Sequence, residues 1–288
     1  MLRGLLKAGP RRATHPIATG DRVLLDEGAR DALVIDRVLE RRNLLARKDP
    51  GDPRRCHALA ANVDQLICVQ SFRDPPLNLR ALDRYLLLAR AAGIPAIAAL
   101  NKLDLHAGEL PGEIRHLAAI GVPVLPMSAR TGQGVPALEA LLKGRLSVLA
   151  GPSGVGKSSL LNALVPRLRL RTRPVSHATS RGVHTTARVE WCDLPGGGAV
   201  LDTPGLRSIQ PWGIDASNLA SAYPEFEGPA SACRFPDCRH RGEPDCAVRV
   251  AAQQGQVPGF RYDSYLRILA SLEEERREGQ ERGGGGSR

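Results

Sequence analysis

The order of four short segments limits what this chain can fold into more than any other feature. Asn101-Lys102-Leu103-Asp104 comes first and Ser128-Ala129 second. Gly151-Pro152-Ser153-Gly154-Val155-Gly156-Lys157-Ser158 follows, and Asp202-Thr203-Pro204-Gly205 is last. An ordinary domain built on such segments starts with the glycine-rich loop and ends with the N-K-x-D and S-A pair. The reversed order predicts an α/β phosphate-loop domain whose chain is circularly permuted. Permutation is tolerable because ligands of open α/β sheets sit at the carboxyl ends of the strands, whatever the order of connection. The old termini would be joined near Leu141-Leu142-Lys143-Gly144. The segment after Gly205 then leads directly out of the domain, so whatever follows is tethered to a switch.

The glycine-rich segment fits G-x-x-x-x-G-K-S in full. Arg145–Ala150 reads as a strand and Lys157–Leu164 as a helix, which is the context a phosphate loop needs. Glycines let the backbone N–H groups close around phosphates, and the helix N-terminus adds positive potential. Lys157 should reach the β- and γ-phosphates and the Ser158 hydroxyl should bind Mg²⁺. The expected nucleotide-contacting set is Gly151, Pro152, Ser153, Gly154, Val155, Gly156, Lys157, Ser158 and Ser159. Gly154 stands where potassium-activated relatives of such domains carry Asn, so no strong K⁺ dependence is expected through it.

Base choice rests on the first two segments. The apolar run Ile94–Leu100 ends at Asn101, Lys102 and Asp104. A carboxylate at Asp104 can accept from the N1–H and N2–H₂ edge of guanine. Adenine lacks that donor pair and would leave the carboxylate unpaired. Val122–Met127 then leads into Ser128-Ala129, where a backbone N–H would meet the guanine O6. The chemistry indicated is binding and hydrolysis of GTP, with GDP as product.

Asp202 should hold Mg²⁺ through water, and the Gly205 N–H should sense the γ-phosphate. Arg181-Gly182-Val183-His184-Thr185-Thr186 lies between the phosphate loop and Asp202. One threonine there would complete the Mg²⁺ shell, and spacing leaves Thr185 and Thr186 both open, with Thr186 entered beside Ser158 and Asp202 in the magnesium set. Leu206 occupies the position where many such enzymes have a water-orienting Gln, so turnover without a partner should be slow. His184 is a candidate for placing the water, and an exposed switch-loop histidine is the plainer alternative. The expected catalytic set is His184, Thr185, Thr186 and Lys157.

Cys233-x4-Cys238-x-His240-x5-Cys246 holds three of the six cysteines and a histidine. Three thiolates and an imidazole suit a closed tetrahedral Zn²⁺ site, one ion per chain. A disulfide framework fits less well, since the chain shows no signal peptide and carries a nucleotide site, which points to a reducing cytoplasm. No apolar run is long enough for a membrane span.

The sequence of motifs NKLD, SA, GPSGVGKS, GVHTT, DTPG and the Cys₃His cluster resembles the RsgA (YjeQ) family of bacterial circularly permuted GTPases over roughly residues 20–275. Gly20-Asp21-Arg22-Val23, Arg41-Arg42-Asn43-Leu44-Leu45, Asn62-Val63-Asp64-Gln65 and Cys246-Ala247-Val248 are similar too. The resemblance implies an N-terminal OB-fold, a central GTPase domain and a C-terminal zinc domain. It also implies GTP hydrolysis stimulated by the small ribosomal subunit and a part in its late maturation.

A formal net charge of +10 agrees with an RNA partner. Residues 1–55 hold 13 Lys/Arg against 8 Asp/Glu by count. Arg167, Arg169, Arg171, Arg173 and Arg181 form a second basic run, for which a solvated loop is the alternative. With 3% aromatics, base stacking is a poor main mode, and backbone and shape recognition of structured RNA fits better. The N-terminus looks short for an OB barrel: residues 20–55 supply three strands, Asp21–Leu25, Ala32–Leu39 and Asn43–Arg47, where about five are needed. Either the barrel is incomplete, the start is misplaced, or a partner covers the open edge.

The expected organisation is therefore residues 1–58 as a truncated OB-like β module that binds RNA, 59–218 as the permuted GTPase domain and 219–280 as a mainly α zinc-binding domain. Residues 281–288 are a flexible tail. Before that tail, Asp64–Val69 reads as a strand, and Leu77–Ala92 and Gly259 to about Glu278 read as helices. A monomer is expected, with the small ribosomal subunit and its rRNA as partners and no membrane. A nucleotide-gated RNA clamp with little hydrolysis is the rival reading, and a GTPase of another pathway a third.

Overall fold

The computed structural model describes residues 16–26, 34–49, 55–168, 190–202 and 211–284, with no side-chain account beyond residue 278. His184, Thr185, Thr186, Gly205 and Leu206, together with Arg169, Arg171, Arg173 and Arg181, lie outside these residues, as does the end of the expected tail.

The chain divides into two compact units. One comprises Met1–Glu109 with Pro123–Trp212, the other Leu110–Val122 with Gly213–Arg288.

The first unit begins with two antiparallel pairs, β1 (Val23–Asp26) with β2 (Val34–Val38) and β3 (Leu44–Lys48) with β4 (Cys56–Ala61). The first three occur where strands were expected. β4 was not anticipated: Cys-His-Ala-Leu-Ala-Ala has no β-branched residue and little β-propensity of its own. It forms because β3 supplies a ladder and because Ala60 and Ala61 are small enough to be fully buried. Segments 20 to 42 residues apart are tied together here by side chains. Asn62 accepts from the Arg42 N–H at 2.9 Å and donates to Gly20 O at 2.9 Å. Asn43 and the backbone of Val63 exchange two bonds, at 2.8 and 2.9 Å. Arg41 grips Asp21 with two nitrogens, at 2.7 and 2.8 Å.

The rest of the unit is a six-stranded sheet. Its strands are β5 (Gln65–Ser71), β6 (Ala96–Asn101), β7 (Val124–Pro126), β8 (Leu146–Ala150), β9 (Glu190–Asp193) and β10 (Ala199–Asp202). The spatial order is β7-β6-β5-β8-β10-β9, parallel except for the edge strand β9. Every residue of β5 is buried, as expected for a parallel strand covered on both faces. Helix α1 (Leu79–Ala91) starts at Asn78, whose side chain accepts from the Ala81 N–H. Helices α3 (Val135–Leu142) and α4 (Lys157–Leu164) pack Leu138, Leu142, Leu160 and Leu161 against Ile67 and Leu149 in one core cluster.

The permuted connection is the turn from α3 into β8 through Lys143 and Gly144. It is pinned to the start of β5. Asp64 accepts from the Leu146 N–H at 2.8 Å, and the buried Gln65 donates to Leu141 O at 2.8 Å and to Ser147 Oγ at 2.9 Å. Pro211 forms an isolated antiparallel bridge with Arg47 of β3.

The second unit contains α2 (Gly112–Ala119), α5 (Glu227–Ala230), α6 (Ala247–Gln253) and α7 (Gly259–Gly284). α7 runs past Glu278 to Gly284 and so takes in the first residues of the expected tail. Its core is aromatic: Tyr223 stacks on Phe226 at 5.1 Å between centroids, and Tyr265 meets both edge-on. Among the described residues no helix is long and apolar enough to cross a membrane.

Candidate functional site

The carboxyl ends of β6, β8 and β10, and the loop after β7, carry the residues singled out above. Asn101 ends β6 and is almost completely buried. Its Nδ2 donates to Val155 O at 2.8 Å and its Oδ1 accepts from the Ala129 N–H at 3.0 Å. One side chain thus stitches the glycine-rich loop to the Ser128-Ala129 loop. Lys102 takes a left-handed backbone (φ 61°) and its Nζ donates to Asp74 O. That twist starts a single 3₁₀ turn, Leu103–Leu105, which carries Asp104.

Asp104 points back at the Ser128 loop. Its Oδ1 accepts from the buried Ser128 hydroxyl at 2.5 Å and its Oδ2 accepts from Arg130 Nε at 2.8 Å. The Ser128 hydroxyl and the Arg130 guanidinium hold the carboxyl below its ordinary value against the opposing effect of burial. Ser128 is fixed in turn: its Oγ accepts from the Thr131 N–H at 3.2 Å and its backbone N–H donates to Gln133 O at 2.8 Å.

The phosphate loop, Gly151 to Gly156, joins β8 to α4, with Lys157 the first residue of the helix. Close approach explains its two outer glycines. A Cβ on Gly151 would stand 2.3 Å from Val69 O. One on Gly156, at φ +95°, would stand 2.3 Å from Asn101 Nδ2. Val155 is buried and anchors the loop in the core. Pro152, Ser153 and Gly154 form its tip, and Ser158 and Ser159 lie in the first turn of α4. Lys157 Nζ donates to Gly151 O at 2.7 Å and Pro152 O at 2.9 Å, so its ammonium lies over the loop. Asp202 ends β10, in register with Leu149 of β8. A serine hydroxyl at the start of α4 and a carboxylate at the end of a neighbouring strand are hard oxygen donors, and they suit Mg²⁺.

The second unit holds the Cys₃His cluster. The ligand atoms of Cys233, Cys238, His240 and Cys246 all lie within 4.8 Å of one another. His240 Nδ1 is 3.5 Å from both Cys233 Sγ and Cys246 Sγ. Burial pushes the Cys238 thiol up to about 12, so thiolates at this spot need a cation's charge. Donor set and spacing fit Zn²⁺. The loop is held independently of any ion. Glu243 accepts from the N–H groups of Arg239 (2.9 Å), Arg241 (2.9 Å) and Gly242 (3.1 Å). Tyr262 donates to His240 O and Tyr265 to Arg239 O, each at 2.6 Å.

Sequence reasoning missed Arg130 and Glu243. Arg130 directly follows Ser128-Ala129, so its position was a signal. Glu243 sits inside the cysteine cluster, where a carboxylate could have been read as a partner for loop N–H groups. The roles of Tyr262 and Tyr265 had no local signal.

Comparisons with known proteins agree with this geometry. A model of the RsgA GTPase family matches residues 38–212. The chain is 43% identical over 274 residues to the small ribosomal subunit biogenesis GTPase RsgA of Gemmatimonas aurantiaca, covering 94% of this chain and 89% of that protein. It is 41% identical over 267 residues to the protein of the same name from Chlorobaculum parvum, covering 90% and 86%. Among solved structures, the crystal structure of YjeQ from Thermotoga maritima is similar with a TM-score of 0.72 at 33% identity, covering 94% of this chain and 88% of that one. The crystal structure of YloQ, described as a circularly permuted GTPase, gives 0.67 at 27% identity, covering 89% and 80%.

Proposed function

This chain belongs to the RsgA family of GTPases, and on that premise we propose that it hydrolyses GTP to GDP in a cycle tied to late maturation of the small ribosomal subunit. The subunit stimulates turnover, GTP favours the bound state and hydrolysis favours release. The observation that carries the nucleotide part is Asn101, which joins the phosphate loop to the guanine-reading loop although the chain meets them in permuted order. The ribosomal part is supported by the names of the relatives, small ribosomal subunit biogenesis GTPases.

In this reading Asp104 selects guanine, and the Ala129 N–H lies where O6 would be received. The Gly151–Gly156 amides and Lys157 hold the phosphates. Ser158, Asp202 and one of Thr185 and Thr186 would bind Mg²⁺, which neutralises charge on the β- and γ-phosphates when bound. His184 remains the proposed group for placing water, and Gly205 the proposed sensor of the γ-phosphate. Cys233, Cys238, His240 and Cys246 hold one structural Zn²⁺ per chain. Residues 1–58 serve as an OB-like module for rRNA, and the protein acts as a monomer in the cytoplasm.

The test is GTP turnover at fixed low salt, alone and with small or large ribosomal subunits. Stimulation by the small subunit only, lost in Lys157→Ala, supports the proposal. GTP binding without stimulation by either subunit overturns its ribosomal part. GTP that tightens RNA binding without turnover would favour a clamp instead.

A further inference from the structure

Asp104 is already fully engaged by its own chain. Ser128 takes Oδ1 and Arg130 takes Oδ2 through both Nε and Nη2, each at 2.8 Å. A guanidinium presents two N–H donors on one edge, as guanine does with N1–H and N2–H₂. The two partners of Asp104 differ in how readily they can leave. Ser128 is fully buried and bonded on both sides of its peptide, while the Arg130 side chain is 74% exposed. Releasing Arg130 returns a hydrated cation to solvent at little cost. Releasing Ser128 would break the loop.

We propose that Arg130 is a specificity-site residue that acts as an internal competitor of the guanine base, capping Asp104 until a guanine nucleotide displaces it. The proposal rests on the guanine-site reading above. Nucleotide meets a site of which only a fraction is open, so apparent affinity is lowered by that fraction. When base leaves, Arg130 recaptures the carboxylate. The chain thereby weakens its own hold on GDP as well as GTP, which favours exchange without a dedicated partner.

An exposed ion pair is weak, so the expected effect is modest and directional. Arg130→Ala should tighten GDP and GTP equally, by about two- to fivefold at low salt. The gain should shrink as salt screens the pair. Arg130→Lys, which keeps the charge without the planar fork, should fall between. In Asp104→Asn, whose amide can donate to the C2 carbonyl of xanthine, the ion pair is gone. There Arg130→Ala should leave XDP affinity unchanged.

The experiment is equilibrium titration with GDP for wild type and the Arg130 variants and with XDP for the Asp104→Asn pair, with ADP as the control, at two salt concentrations. Tighter GDP binding by Arg130→Ala that fades with salt, with no change in XDP affinity when Arg130→Ala is added to Asp104→Asn, supports the proposal. Selective GDP binding that is unchanged or weakened in Arg130→Ala overturns it and leaves the guanine site standing. Failure of wild type to prefer GDP over ADP overturns the guanine-site reading and the proposal with it.

Discussion

At the scale of the residue, the site depends on a few side chains that satisfy backbone groups far away in sequence. Asn101 and Val155 are 54 positions apart, yet one amide bonds both the phosphate loop and the Ala129 N–H. Truncation to alanine leaves a carbonyl and an N–H unpaired, at about 1–3 kcal/mol for each buried group. Asn101→Ala should therefore lower both the denaturation midpoint and GDP affinity, the latter at least tenfold by fluorescent-nucleotide titration. Asp104 gives a second expectation, in pH. Its carboxyl is held below the ordinary carboxylate value by Ser128 first and Arg130 next. The stability it contributes is thus complete above its unfolded value and is lost as pH falls through the lowered one. GDP affinity should stay flat on its account from neutral pH down to the ordinary carboxylate range. In Arg130→Ala the decline should begin at higher pH. Arg261 and Glu225 form a pair with side chains only 4% exposed, and burial draws Arg261 down to about 10. Glu225→Ala leaves that guanidinium buried without its partner and should cost about 3–5 kcal/mol in chemical denaturation.

At the scale of the element, the legible parts were those whose signal is local. The strands β6, β8 and β10 announce themselves as apolar runs leading into motif residues, and α4 begins and ends at the residues the loop pattern assigned it. β4 was not legible because its alanines become a strand only against β3. Arg130 and Glu243 were not legible as partners because folding brings their acceptors and donors to them. α4 is a different case. Eight residues are too few to be helical alone, and the helix persists through Leu160, Leu161 and Leu164 in the core. Its start depends on Gly156, where a methyl would meet Asn101. Gly156→Ala should abolish measurable nucleotide binding while leaving circular dichroism near wild type. The Cys₃His loop should behave oppositely. Chelation, or Cys238→Ser, should release one Zn²⁺ per chain by colorimetric assay and lower the stability of the second unit, since structural zinc contributes folding energy.

At the scale of the whole molecule, permutation puts the chain to an unusual use. The 110–122 segment lies between Asp104 and Ser128 in sequence, yet α2 folds with the second unit, where Phe260 meets His116 edge-on at 6.4 Å. Ile114 and Leu117 of α2 are buried, and α2 belongs to that unit. A chain cut after Trp212 keeps every nucleotide motif and loses the rest of the unit to which α2 belongs. Each of these side chains is worth about 1.5–3 kcal/mol of burial, and an exposed apolar helix face invites association. A fragment ending at Trp212 should therefore bind a hydrophobic dye and associate in sedimentation. The same fragment with Ile114→Lys and Leu117→Lys should be monomeric and recover GDP binding. A plain fragment that stays monomeric, dye-free and binds GDP as the full chain does would show that α2 does not need the rest of that unit. Motif order says nothing about which unit α2 joins. The structure groups it with residues beyond 212, and that grouping is what a truncation has to respect.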